Sequence, residues 1–479
     1  MTCVRRRVMI GLEQHEMRGV RLIAKHVEAG DPGFLQTVSR IFQSGVPEGI
    51  GTLRFDLNAD VDDEHIVHDA LFVLREAMSD AVYLDAYAAF RSRDFRLLLT
   101  SMLFSNIGLQ MLSVAVSWDL YVQTHSAKVL GNVGFVQVAP SFAFAILAGH
   151  IADRFSRRRT MLLAQTLIVA TSLLLATGVH GVAGVYGCLF LVAVARTFQW
   201  PIRLAILPDM VPPEMLSNAI TWSSTSFEIA SVSGPALAGL ILAVSGSRMV
   251  YMVQSGCAVI VMLCFFRLGF KGRPRVLPSD DRRSALEGLR FIRDNKLVLS
   301  AVSLDMFAVL FGGAAALLPI FAVDILHAGP RALGWLRAAP AIGAVLMAVT
   351  LAHSNRIRRA GPVMLWSVAG FGLATIGFGL SHWIWLSFVM LALVGAFDNV
   401  SVVLRQSVLQ AKTPDAVRGR VMAVNSIFVN CSNSLGAIES GWTAAWFGPV
   451  ISVAGGGVAA IVVVAVCALI SPALRKWRQ

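Results

Sequence analysis

Between Leu97 and Ile470 the chain passes through twelve apolar stretches of 18 to 26 residues, almost free of charge and parted by polar connections. A helix rises 1.5 Å per residue and needs about 20 apolar residues to cross a hydrocarbon layer of about 30 Å. Lipid offers no partner to backbone N–H and C=O groups, so runs of this length and spacing become membrane helices. The expected spans are Leu97–Val122, Gly131–Ile151, Met161–Val179, Val185–Leu207, Ala219–Val244, Met249–Phe266, Leu297–Ile320, Leu333–Leu351, Val363–Leu380, Trp383–Val403, Val421–Trp446 and Val450–Ile470. The expected fold is an all-α polytopic membrane protein. Composition agrees, with 56% hydrophobic and 15% charged residues and a mean hydropathy of +0.67, outside the range of soluble domains.

The formal charge of +12 invites a nucleic-acid reading. Its placement argues against one, because the basic residues fall in alternate connections between spans. One set holds Arg91, Arg93 and Arg96; Arg154 to Arg159; Arg203; nine residues from Arg267 to Lys296; Arg356, Arg358 and Arg359; Arg405, Lys412, Arg418 and Arg420; and Arg475, Lys476 and Arg478. The other set holds only Lys128, Arg248, Arg331 and Arg337. Positively charged connections stay in the cytoplasm, so both termini are expected there, in a cell (inner or plasma) membrane.

Residues 1–88 are a polar extension, basic at Arg5-Arg6-Arg7 and acidic through Asp60, Asp62, Asp63 and Glu64. No apolar core of signal-peptide length follows the arginines. Gly51 to Leu57 alternates like a strand and Glu64 to Met78 has helical spacing, so a small βα unit is one reading. A passive extension, or a chain that properly starts at Met78, is the other. Residues 89–266 form a first half, 267–296 a linker and 297–479 a second half. In the linker, Ser284-Ala-Leu-Glu287 predicts a capping box ahead of an amphipathic helix, lying on the membrane surface or against the bundle. Of the six cysteines, all but Cys3 lie in apolar runs without metal-ligand spacing and read as packing residues.

Sliding the chain by 202 residues lays Arg203-Leu-Ala-Ile-Leu207 on Arg405-Gln-Ser-Val-Leu409, Pro212 on Pro414, Gly234 on Gly436 and Gly239 on Gly441. The same shift carries Arg154 to Arg356 and Arg157 to Arg359. Two parallel, pseudo-symmetric six-helix halves follow. The connection after the second span reads Gly149-His-Ile-Ala-Asp-Arg-Phe-Ser-Arg-Arg-Arg159. At Gly149, Asp153, Arg154, Arg157, Arg158 and Arg159 it resembles the signature loop of the major facilitator superfamily, departing at Ser156, where that family has glycine. Asn218 to Gly239, Ala285 to Ile292 and Pro414 to Val421 are similar to the drug and siderophore exporter branch, which holds enterobactin exporters and macrolide efflux proteins. The resemblance covers residues 88–479 and implies transport by two halves rocking about a central site.

Ionisable groups far from the loops are the informative ones, because a charge at membrane depth is costly unless paired or watered. By the helical rise, Arg196 lies about 16 Å from the outer face and Glu228 about 14 Å from the inner face. The repeat carries Arg196 onto Asp398 and Glu228 onto Asn430, and Asp305 lies nearer the inner face. Glu228, Arg196, Asp398 and Asp305 are therefore candidates for proton coupling, each against the alternative of an internal structural tie. The resemblance adds that Arg196 matches an antiporter arginine and that Gly234-Pro235 with Gly239 matches an antiporter bend. It also implies that Asp153 meets the start of span eleven as a gate. Asp119 and Glu439 fall near outer span ends, as a gate or as solvated groups. Met111, Trp118, Phe142, Trp222, Phe227, Phe307, Phe311 and Phe397 are candidate cavity-lining groups for a lipophilic or aromatic cargo.

No phosphate-binding loop, dinucleotide glycine pattern or metal-spaced His/Cys set is present, so neither an enzyme nor a cofactor is expected. The resemblance implies a secondary exporter of a drug- or siderophore-like molecule, working by proton antiport. Its partners would be cargo, protons and membrane lipids, with no nucleic acid, and the working unit a monomer. A lysophospholipid flippase-like carrier or an importer on the same scaffold is the alternative within transport. A transport-inactive sensor using residues 1–88 as its output is the alternative outside it.

Overall fold

The computed structural model describes residues 87–154, 156–179, 181–269, 281–354 and 359–477. Within these, the side chains of 145, 146, 149–154, 200, 201, 204, 205, 214, 281–286, 415 and 416 are not described. The strand and helix expected between Gly51 and Met78 lie outside the described residues. Residues 87–89 and 212–218 form a small unit of their own, in which Ala89 N donates to Asn218 Oδ1 at 3.2 Å.

The remainder is a helical bundle without strands among the described residues. Its helices are α1 Arg93–Thr124, α2 Ala127–Arg154, α3 Arg157–Ala176, α4 Val182–Met210, α5 Leu216–Arg267, the linker helix α6 Asp281–Asp294, α7 Lys296–Phe311, α8 Gly329–His353, α9 Ala360–Gly379, α10 Ile384–Lys412, α11 Asp415–Phe447 and α12 Pro449–Ile470. Among the described residues, ten helices are long and apolar enough to cross a membrane. That number counts α5 once and omits α2, whereas the sequence predicts two spans in α5 and one in α2. At Gly246, φ is 75°, a left-handed value that glycine reaches without a Cβ clash. There the 52-residue α5 breaks into two rods, at the boundary expected between Val244 and Met249.

Local chemistry sets the helix ends. Ser92 Oγ accepts from Phe95 N at 3.3 Å and starts α1, while Asn295 Oδ1 accepts from Val298 N at 3.2 Å and starts α7. After α7 the chain tightens through a 3₁₀ turn at Ala314–Leu317 and a π turn at Phe321–Ile325. α6 starts three residues before the predicted cap at Ser284, and its Glu287 carboxylate accepts from Arg420 at the start of α11. Gly288 lies against the Arg420 backbone and Ile292 is buried among Val298, Val421 and Leu474. Of the two placements predicted for this amphipathic helix, the one against the bundle is observed.

Two close crossings join the helices before α6 to those after it. A Cβ on Gly239 of α5 would meet Gly334 Cα of α8 at 2.8 Å, and one on Gly131 of α2 would meet Gly441 Cα of α11 at 2.8 Å. Only glycine pairs let backbones come this near. Gly239 and Gly441 are a repeat-related pair, so one contact appears twice by pseudo-symmetry. Both crossings lie at the end of the bundle carrying the short turns at His125, Gly246, His327 and Gly448, here called the hairpin end. Further ties between the two groups of helices gather there. Trp442 Nε1 donates to Asn132 Oδ1 at 3.1 Å, Lys128 Nζ stands 3.9 Å from the Trp442 ring centroid, and Tyr121 donates to Asp324.

Candidate functional site

Away from the hairpin end, the faces that meet at the glycines lose their cover. On α2, Phe142 lies on the Gly131 face by the 3.6-residue period, and it is 64% exposed. On α11, Asn430, Ile427 and Ser426 continue the Gly441 face and are exposed. Asn430 Nδ2 donates to Ser426 O at 2.9 Å and Asn433 Nδ2 to Val429 O at 3.0 Å, so these amides are held by their own helix. A polar stripe open on a membrane helix belongs to a watered cleft rather than to lipid. On α5, Glu228 continues the Gly239 face, eleven residues away, or about 16 Å along the helix. It is half-buried, with no hydrogen bond or ion pair among the described residues.

In the second half, Arg405 of α10 and Asp305 of α7 form an ion pair of 2.6 Å with both side chains only 3% exposed. Arg405 also donates to Asn425 Oδ1 of α11 at 3.4 Å. Asp398, two turns earlier on α10, lines a cavity of about 10 Å³ together with Asp305, Phe397 and Ser401. That is room for about one water. The structure thus brings two predicted carboxyls to one small cavity, one of them paired with a guanidinium. Phe397 also packs its ring edge over Gly370 of α9.

In the first half, Arg196 and Arg203 of α4 line a cavity of about 60 Å³ walled by α1, α3, α4 and the second rod of α5. Arg203 Nη2 donates to Ser105 Oγ at 2.7 Å and to Gln199 Oε1 at 3.2 Å. Gln199 donates to Gln165 Oε1 at 3.0 Å, and Gln165 to Ala258 O at 3.1 Å. This relay fixes the cavity wall across four helices. Arg196 makes no hydrogen bond or ion pair among the described residues.

The basic loop ties the first group of helices together. Arg157 Nη1 pairs with Asp209 Oδ2 of α4 at 3.0 Å. Arg158 donates to Phe266 O, its guanidinium carbon 5.1 Å from the Phe266 ring centroid. Arg159 is exposed, while the side chains of Asp153 and Arg154 and the surroundings of Gly149, and with them the expected gate contact, are not among those described. Gly234 packs against Ile107 O and Gln110 of α1, and Pro235 O faces Gly334 of α8.

Of the aromatic candidates, Phe142 and Phe227 are open, at 64% and 52% exposed, and Phe307 is open at 39% while stacking on Phe311 at 6.5 Å. Met111 is buried in the core and Trp118 packs against it. Trp222 meets Phe90 edge to face at 4.9 Å. Near the hairpin end, Asp119 accepts from Tyr251 at 2.7 Å and Glu439 from Ser440 at 3.3 Å.

Three arginines counted with the connections lie inside helices, two of them, Arg203 and Arg337, within the expected spans Val185–Leu207 and Leu333–Leu351. Arg203 and Arg405 lie inside α4 and α10, which continue past their apolar runs. Arg337 lies inside α8, where it donates to Ser113 Oγ of α1 at 3.1 Å and to Ala315 O at 2.7 Å. The repeat pairing of Arg203 with Arg405 was the available signal that they share a structural setting.

A family model described as transmembrane secretion effector matches residues 84–479. Enterobactin exporters of Shigella boydii serotype 4 and of Escherichia coli O1:K1 are each 28% identical over 392 residues, covering 80% of this chain and 93% of theirs. Among solved structures, a POT family transporter in complex with a thioalcohol-conjugated peptide is 13% identical, covering 80% of this chain and 97% of its own, with a TM-score of 0.63. A bacterial homologue of the human lysosomal transporter Spinster, inward-facing and unoccupied, is 14% identical, covering 80% and 97%, with a TM-score of 0.59. These structural likenesses concern the fold alone.

Proposed function

Because the chain belongs to the transmembrane secretion effector family of the major facilitator superfamily, and is a multi-pass membrane transporter rather than an enzyme, we propose that it exports a lipophilic or aromatic small molecule of the drug or siderophore class. Export is by proton antiport with alternating access, in a protein acting as a monomer. The observation that carries this reading is the pair of glycine crossings at the hairpin end, Gly239 with Gly334 and Gly131 with Gly441, with the same helix faces uncovered beyond them. The arginine-rich end and both termini belong in the cytoplasm by their charge. The conformation is then shut outward and open to the cytoplasm, ready for a cargo made inside the cell. The cargo class draws on the enterobactin exporters and on the open aromatic rings of Phe142, Phe227 and Phe307.

Protons are carried by carboxyls that the two conformations surround differently. Asp305 is paired with Arg405 and shares a small cavity with Asp398, so a proton on either carboxyl balances the three charges. Glu228 adds a carboxyl on the open α5 face. Arginine keeps its charge in proteins, so Arg196 acts on protons only through its field. Closure of the cytoplasmic end uses Asp153 and the loop arginines against the first turn of α11, whose free amides favour an anion. Everted vesicles with an imposed pH gradient test the proposal. Gradient-dependent uptake of a catecholate siderophore or a lipophilic aromatic dye is expected, and it should be lost in Asp398→Asn. Uptake indifferent to the gradient sinks antiport, and lipid redistribution between leaflets without cargo uptake favours a lipid carrier. In a separate variant, Glu228→Gln is expected to stop gradient-driven flux with folding intact, and unchanged flux removes Glu228 from coupling.

A further inference from the structure

We propose that the cavity between α1, α3, α4 and the second rod of α5 is an anion-recognition pocket, where Arg196 and Arg203 hold the acidic headgroup of the exported molecule. That the ligand is an export cargo rests on the reading above; that it is an anion rests on the contents of the cavity. The other described arginines inside the bundle are more fully met: Arg405 has a counter-ion in Asp305, and Arg337 has Ser113 on one nitrogen and a backbone carbonyl on another. Arg203 has only neutral partners, Ser105 and Gln199, both on Nη2, and its Nε is buried with no acceptor. Arg196 has none among the described residues. No Asp or Glu lines the cavity.

Two like charges on one cavity wall at membrane depth are an expensive arrangement to keep without a counter-ion. An entering carboxylate or phenolate meets donors already aimed by the Gln199–Gln165–Ala258 relay, and it relieves the repulsion between the two guanidiniums. Gln254 Oε1, also in the wall, is buried without a donor. The pocket therefore fits an acid with a hydroxyl beside it, the acid on the arginines and the hydroxyl donating to Gln254. A volume of about 60 Å³ takes a headgroup and not a whole aromatic cargo. Arg196 is exposed as well as cavity-lining, so the pocket opens where Arg196 stands and the body of the ligand lies outside it.

Binding to the full-length protein in detergent, measured by thermophoresis with salicylate, its neutral analogue salicylamide and benzoate, tests this without any flux. Salicylate is expected to bind about tenfold more tightly than salicylamide, as befits a charge-assisted contact. Benzoate should fall in between. Arg203→Gln and Arg196→Gln should each erase the preference for the anion, and Arg203→Lys should keep most of it. Equal binding of salicylate and salicylamide by the unaltered protein overturns the proposal, whether or not the variants fold. So does a preference that survives in both glutamine variants, and benzoate matching salicylate removes Gln254 from the site. Gradient-driven export with charge-blind binding would sink the pocket and spare the exporter, and charge-selective binding without gradient-driven flux would do the reverse.

Discussion

α4 and α10 occupy equivalent places in the two repeats, yet they carry opposite chemistry. The offset of 202 residues lays Arg203 on Arg405 and Arg196 on Asp398. On α7, Asp305 takes the part that Ser105 plays on α1, two residues out of register. One arginine therefore keeps its place in both halves while its surroundings change, from a second guanidinium and neutral acceptors to two carboxyls. The second half encloses a charge set that is balanced by one proton, and the first half leaves two cations open to a cavity. Duplication supplied a symmetric frame, and the departures from symmetry leave an acid-rich pocket in one half and a cation-lined cavity in the other.

The largest effect is expected from breaking the balanced side. Arg405→Gln strips its cation from Asp305, which is only 3% exposed, and leaves Asp398 beside it on the same small cavity. Losing one partner of a buried pair costs about 3–5 kcal/mol, so the variant should lose most of its folded yield in detergent, read by thermal unfolding. The equivalent Arg203→Gln removes a cation that has no counter-ion, and it should cost well under half as much. Equal losses would mean that the two arginines are alike after all.

A subtler exchange makes the first half imitate the second. Arg196→Asp places a carboxyl where the repeat has Asp398 and gives Arg203 a counter-charge. The variant should keep or gain thermal stability while losing its preference for anions. Retained anion selectivity would show that Arg203 alone supplies recognition. By contrast, Asp398→Asn should reduce gradient-driven uptake at least about tenfold and leave cargo exchange at equal pH nearly unchanged, as expected when an essential proton carrier is lost.

Much of this contrast is legible in the sequence. The constant offset announced two halves, and depth along the spans singled out Arg196, Asp398, Asp305 and Glu228. Pairing was not legible, because Asp305 and Arg405 are a hundred positions apart and nothing local in either stretch names the other. Arg405 falls just beyond the expected span ending at Val403 because hydropathy drops there, while the helix itself continues to Lys412. Glycines 239 and 441 were visible as repeat partners. Their contacts Gly334 and Gly131 were not, since close approach depends on which helices cross and at what height.

The smallest expected effect concerns the connection between the two halves. Glu287 of α6 accepts from Arg420, with side chains 53% and 39% exposed. An exposed pair contributes about 0–1 kcal/mol, so Glu287→Ala should barely move the unfolding midpoint. Its place is at the foot of α11, the helix that crosses α2 at Gly131 and Gly441 and that the proposed cycle would part from α2. Ile292 and the Gly288 contact keep α6 docked when the ion pair is gone. The transport rate should then change less than about threefold, a barrier change under 1 kcal/mol. A larger loss of rate with the unfolding midpoint unchanged would assign the linker a part in switching, beyond joining two unequal halves.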